Sequence, residues 1–427
     1  MRSGLTIRKF TLVTGIFLCF FGLAYTINTQ AADYPQWRGF GRSGVSKETG
    51  LLKEWPEEGP ELLWSATGLG KGFSSPSISN GVLYVTGTEG SIESLSAFDL
   101  SGNPKWKKEY GKAYTKSFPD ARCTPTVVEN SAYVVSGTGE VVCFEAASGS
   151  IKWSVQAFDK FEGKHGSWGI AESPLVVDNK VIYTPCGKKT TVVALDRETG
   201  QTMWTTESVG GQSGYVSPIL VERGGMRLIV TVTGTYILGI NVESGEIVWQ
   251  VDYSKLPPPD GGGNDINIVT PVYYDGRIFV TSGYDHTGVM LELSADGKDA
   301  SVVWLSPDLD THHGGVVLVD GHIYGSNWIN NNAGNWVCVD WDSGKTMYEK
   351  EWFSKGSIVS AEGMLYCYEE KKGNLALVKV SPEDFTIVSS FRITQGKGQH
   401  WAHPVINDGV LYMRHGDVLM AYNIKAE

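Results

Sequence analysis

The residues best suited to chemistry fall in seven short segments, most of which run into a Ser/Thr-Pro pair: Lys71 and Phe73; Arg122; His165, Trp168 and Glu172; Gln212 and Tyr215; Asn264, Asp265 and Asn267; Asp308, Asp310, His312 and His313; and His400, Trp401 and His403. Carboxylates, amides, imidazoles and indoles converging over an apolar ring would make a ligand site. Several also have ordinary uses. Glu172 reads on its own as a solvated carboxylate, Asn264 and Asn267 adjoin the turn-rich run 257–263, and Asp308 and Asp310 follow Pro307 as turn caps would. The histidines do not spell out a metal site. His312 and His313 are adjacent, and His400 and His403 differ by an odd number, so on extended strands each pair points to opposite faces. A zinc site would have to be assembled across separate repeats, and no metal ligand set is assigned from spacing. No serine lies in a nucleophile elbow.

The elements that must position these residues are visible as a repeat. Trp64, Trp106, Trp153, Trp204, Trp249, Trp304 and Tyr348 recur at intervals of 42 to 55 residues, most after a phrase such as Asp196-Arg197-Glu198-Thr199-Gly200. A second landmark precedes each phrase: Ser75-Pro76, Thr124-Pro125, Ser173-Pro174, Ser217-Pro218, Thr270-Pro271 and His403-Pro404, with Pro-less equivalents near Gly315-Val316 and Ser357-Ile358. Together they mark eight units. Within them, runs such as 81–85, 131–135 and 409–413 look like half-buried strands bounded by Gly, Asn and Asp. Helical periodicity is absent.

About four strands fit one unit, and a four-stranded antiparallel sheet cannot bury both faces alone. Radial stacking solves this, so the expected fold is all-β, an eight-bladed β-propeller with tryptophans docking between blades. The last unit, from His400, ends after about three strands. The strand around Trp64 should complete it and close the ring without an exposed edge. Residues 1–31, 32–60 and 61–427 are then leader, N-terminal extension and propeller; seven blades with a separate extension is the alternative.

The phrase Ala194–Trp204 closely resembles the PQQ (pyrroloquinoline quinone) repeat, and Pro35-Gln36-Trp37-Arg38-Gly39 resembles the start of a secreted group of PQQ-like propellers. The resemblance covers about residues 61–427. It implies relatives of two kinds: quinone-dependent alcohol dehydrogenases and non-catalytic scaffolds similar to the outer-membrane-protein assembly lipoprotein. If the dehydrogenase pattern holds, Glu172, Asn264 and Asn267 would bind quinone and Ca2+, and Asp308 or Asp310 would be the base. The pattern is incomplete: the adjacent Cys-Cys pair, the long walling insertions and CxxCH are missing, as is the lipoprotein's N-terminal Cys.

Composition agrees with a binding role. A net charge of −11 without a basic cluster excludes nucleic acid. Arg2, Arg8 and Lys9 precede the apolar stretch Leu12–Ala24 and the small-residue exit Thr29–Asp33, the pattern of a cleaved secretory signal. Cys19 lacks the small neighbours that lipid attachment wants. The expected product is a periplasmic or secreted protein without stable membrane insertion. The other five cysteines are widely spaced and read as buried thiols. The functional expectation is a non-catalytic propeller binding a protein, glycan or small molecule through Arg122, His165, Trp168, Glu172, Gln212, Tyr215, Asn264, Asn267, His312, His400 and Trp401, without a cofactor. The alternative is a PQQ/Ca2+-dependent alcohol or polyol dehydrogenase.

Overall fold

Eight sheets arranged as antiparallel four-stranded blades account for nearly all the regular structure. The computed structural model describes Met1, residues 33–257 and residues 265–426. The leader reading therefore lies outside the described residues, as does Asn264. Blades 1 to 7 run in chain order through residues 77–112, 126–156, 175–205, 219–252, 272–306, 316–350 and 356–392. The eighth combines Val405–Asn407, Val410–His415 and Val418–Asn423 with Leu62–Ala66, whose Trp64 pairs with Ala421. The ring thus closes by hydrogen bonding its N-terminal strand to its last blade, and the seven-bladed alternative is excluded.

The tryptophan phrases pack neighbouring blades together. Trp64, Trp106, Trp153, Trp204 and Trp304 each donate Nε1–H to a carbonyl of the next blade's phrase, at 2.9–3.3 Å. Their rings cover Gly102, Gly149, Gly200, Gly245 and Gly344. Those glycines have φ of +70° to +80°, and a Cβ there would fall within 2.6–2.9 Å of the indole. Gly is therefore required twice, by backbone conformation and by contact. Trp249 departs from the pattern: its Nε1 finds no partner among the described residues. At that junction Arg223 lies against Gly276 and Gly297 instead.

Inner and middle strands are buried on both faces, including all of Ser131–Val135. The expected half-burial fails there because each blade is sandwiched between two others. Alternation survives on outer strands such as Ile387–Arg392. All five cysteines in the described residues, Cys123, Cys143, Cys186, Cys338 and Cys367, are buried and free. Dithiothreitol should accordingly leave the thermal midpoint unchanged; a fall of several degrees would mean that a disulfide supports the fold.

The Ser/Thr-Pro landmarks of blades 1 to 4 form a second run of contacts between blades. Ser75 N donates to Thr124 Oγ1 at 3.0 Å, Thr124 N to Ser173 Oγ at 3.0 Å, and Ser173 N to Ser217 Oγ at 2.9 Å. Each hydroxyl thus satisfies a buried N–H of the preceding blade, which strand pairing within a blade leaves unmet.

Residues 33–60 are integrated into this ring. Val45–Ser46 adds a parallel strand to blade 7, and Tyr34 bridges Ile78 in blade 1. Between them, the chain crosses the central channel. Arg42 donates to the carbonyls of Ser173, Pro174 and Pro218 on blades 3 and 4 at 2.7–3.0 Å. Arg38 reaches the opposite side, donating to Val316 O at 2.5 Å and Ile358 O at 3.1 Å. Both side chains are almost wholly buried, and burial lowers each pKa to about 10, which leaves both cationic at neutral pH.

Candidate functional site

Above the Arg38–Arg42 crossing lies a cavity of about 430 Å³. Trp37 forms its floor, held by a hydrogen bond from Nε1 to Thr270 Oγ1 at 2.9 Å and by its ring, 4.5 Å from that of His403. The walls are aromatic: Phe73, Phe118, Trp168, Tyr215, Tyr284 and Trp401 line it with Ile266 and Ile268. Trp401 is the hub, with Phe73, Phe118 and His313 ring centroids 4.8, 4.9 and 4.6 Å away. Polar groups are few and placed at intervals: Arg122, His312, His313, Asn331, Asn332, Glu370, Lys371 and Gln399. Arg122 is oriented by donation to the Phe118 carbonyl, with its guanidinium 5.9 Å from the Phe73 ring. An apolar enclosure with a sparse set of oriented polar groups suits a compact organic ligand.

Of the residues proposed from sequence, Arg122, Trp168, Tyr215, His312 and Trp401 line this cavity, together with Phe73, His313 and His403. The others do not. Glu172 is not solvated: it is 2% exposed and accepts from Thr184 N at 3.1 Å and Thr184 Oγ1 at 3.4 Å. Its neighbours Ala171 and Ser173 face the cavity instead, so strand-like alternation turns the carboxylate away. Burial pushes its pKa up to about 8, against the opposing effect of the Thr184 hydrogen bonds and the Arg42 charge.

Asn267 shows the same alternation between Ile266 and Ile268, and its Nδ2 donates to Thr233 O at 2.7 Å. Asp310 caps backbone N–H groups of Asp285 and Trp328 at 3.1 and 3.0 Å, and burial raises its pKa to about 7. Asp308 accepts from Thr346 Oγ1. His165 packs on Tyr114 and Phe158, while Gln212 accepts a backbone hydrogen bond from Gly234. Lys71 lines a separate pocket with Gly68, Thr88 and Asp120.

His400 is a packing residue, stacked 3.7 Å from His415 and bonded to the Tyr368 hydroxyl at 2.5 Å. Burial and the neighbouring His415 lower its pKa to about 4. Glu172 and Asp310 are committed to protein donors, Asn267 is anchored through Nδ2 although its Oδ1 has no partner among the described residues, and none of the three lines the cavity; they do not fit a quinone held with Ca2+ over the mouth.

The expectation that His312 and His313 diverge is also corrected. They precede blade 6's first strand, outside regular pairing, and their ring centroids are 4.2 Å apart. Glu370, from the hairpin after Met364–Glu369 in blade 7, joins them, so that one ligand atom from each residue lies within 4.8 Å of the others. Burial holds both histidines well below the usual imidazole range, hence neutral. Sequence reasoning missed Glu370, Tyr284 and Trp37. Glu370 and Tyr284 sit in hairpins within blades, where charged and aromatic residues are commonplace; Trp37 lies far from the repeats, although its PQWRG context was a signal.

A closed ring of eight blades with tryptophan-docked junctions and a mouth closed below by its own N-terminal segment defines a PQQ-like β-propeller. The family described as outer membrane protein assembly factor BamB matches residues 94–350, and the chain belongs to that family. It is 22% identical over 251 residues to the outer membrane protein assembly factor BamB of Moranella endobia, spanning 57% of this chain and 58% of that protein. The chain thus spans under two thirds of the length of this relative. Among solved structures, BamB from Moraxella catarrhalis superposes with a TM-score of 0.61 at 14% identity, over 85% of this chain and 99% of that one. A quinohemoprotein alcohol dehydrogenase from Comamonas testosteroni gives 0.65 at 13% identity, over 92% and 81%. These likenesses establish the shared fold.

Proposed function

We propose that the protein is an exported, non-catalytic propeller that binds its ligand or partner in the aromatic mouth. The observation carrying this reading is the cavity itself: aromatic on most sides, floored by Trp37, and furnished with oriented polar groups, none of them a nucleophile beside a base. Large rings fixed by mutual contact can bury ligand surface at little entropic cost. The matched family supports a scaffold-type role, since its description names an assembly factor. The charged, apolar and small-residue segments of the N-terminus support export. No helix among the described residues is long and apolar enough to cross a membrane.

The test uses the mature chain. Trp37, Trp168 and Trp401 line the cavity, so intrinsic fluorescence can screen oligosaccharides, peptides and small organic acids. Any ligand found should bind about tenfold more weakly, a loss near 1.4 kcal/mol, in Trp401→Ala and in Trp168→Ala. Binding unchanged in both variants would place the ligand elsewhere. After addition of PQQ and Ca2+, dye-linked oxidation of small alcohols should remain at background. Turnover abolished by Asp310→Asn would establish the dehydrogenase reading instead.

A further inference from the structure

We propose that His312, His313 and Glu370 form a binding site for a single divalent ion of the zinc class, with an open coordination position facing the mouth. The site stands on geometry independent of the organic ligand. His313 Nε2 lies 3.3 Å from Glu370 Oε2, yet it makes no hydrogen bond there or elsewhere among the described residues. Two ligands of a tetrahedral ion with bonds of about 2.0–2.1 Å lie roughly 3.3 Å apart. The contact has that spacing and lacks hydrogen-bond geometry. His312 Nδ1 is likewise buried without a partner.

The surroundings orient each ligand. His312 Nε2 and the Tyr284 hydroxyl are 2.9 Å apart, an arrangement that leaves Nδ1 available for metal, as outer-shell partners of ligating histidines do. Trp401 Nε1 donates to Glu370 Oε2 at 3.1 Å. Lys355 engages the other oxygen, Oε1, at 3.0 Å and also donates to Asn330 O at 2.7 Å. Oε2 thus keeps a lone pair directed toward the histidines. Lys371, 3.6 Å from Oε1 and partly exposed, can swing into solvent when an ion enters. Two imidazoles and one carboxylate are a borderline donor set suited to Zn2+, and three protein ligands leave a fourth position. That position faces the cavity, where water or an oxygen donor can fill it.

The experiment titrates EDTA-stripped mature protein with Co2+, following its visible absorption, and then with Zn2+ by calorimetry and by Co2+ displacement. The expected result is one ion per chain with micromolar or tighter affinity. His313→Gln and Glu370→Gln should each weaken binding by at least tenfold, and His322→Gln, at the start of the second strand of blade 6, should not. Tyr284→Phe removes only the hydroxyl orienting His312 and should weaken binding several-fold. It serves as the deciding variant should the ligand substitutions lower the metal-free thermal midpoint. Absence of binding at 100 μM metal, about the weakest affinity of interest, would overturn the proposal. So would affinity unaffected by all three variants. Failure here leaves the aromatic mouth intact, whereas organic-ligand binding unchanged in both Trp401→Ala and Trp168→Ala, with one metal ion still bound by the parent protein, would tell against the mouth alone.

Discussion

A chain lacking residues 32–66 is expected to aggregate on expression. The deletion removes three supports at once. Leu62–Ala66 is the outer strand of the closing blade, paired with Val418–Asn423, so its loss exposes the N–H and C=O groups of a long buried strand, a template for intermolecular pairing. Trp64 leaves Gly102 uncovered at the junction between blades 8 and 1. Loss of Arg38 and Arg42 strips donors from five carbonyls on blades 3, 4, 6 and 7; each unsatisfied buried acceptor costs on the order of 1–3 kcal/mol. The sum is comparable with the whole net stability of a typical domain, about 5–15 kcal/mol. Trp64→Ala is the milder control: Trp64 is partly buried, so the variant should stay folded and lose about 2 kcal/mol, below the usual cost of removing a fully buried indole. Solubility, size-exclusion profile and thermal midpoint of the two variants decide the matter. A soluble truncation melting with the full mature chain would show that the ring closes without its N-terminal segment.

The second large effect concerns Glu172 and pH. Its folded pKa, near 8, lies above the ordinary 4.5, so between these values the folded protein retains a proton that the unfolded chain has released. Stability attributable to this group is therefore full below pH 4.5 and is lost as pH rises through 8. Glutamine cannot ionise and keeps a similar shape. The stability of Glu172→Gln relative to the parent should grow from about pH 5 to pH 8 and then level off, by on the order of a few kcal/mol. The nearby titratable groups do not obscure the difference: burial raises Cys123 and Cys186 to about 12 and holds the Tyr183 phenol well above its usual range, and Arg42 stays cationic. Denaturant unfolding of both proteins at several pH values measures it. A difference that stays flat would mean an ionised carboxylate in the fold, and its reversal by added Ca2+ would restore Glu172 as a cation ligand.

The sequence by itself determined the repeat architecture. The Trp64 to Tyr348 series, the Gly turns beneath the indoles and the Ser/Thr-Pro landmarks are local patterns, repeated because every blade solves the same packing problem. Their spacing therefore encoded blade number, strand content and closure through Trp64. The break at Trp249, where Arg223 lies against Gly276 and Gly297, was not marked by the phrase spacing. Phe73, Arg122, Trp168, Tyr215 and Trp401 were legible as lining one cavity, since the segment before each inner strand returns to one mouth. Tertiary structure alone decided the direction of individual side chains within those segments. Glu172 and Asn267 are one residue out of phase with the cavity, a difference set by backbone alternation at the channel. His312 and His313 escape strand alternation because their segment is not paired. Trp37, Arg38 and Arg42 act across the ring from residues more than a hundred positions away, and Glu370 meets His313 only because blades 6 and 7 are neighbours. Such contacts depend on how the ring closes in space, and no local spacing records them.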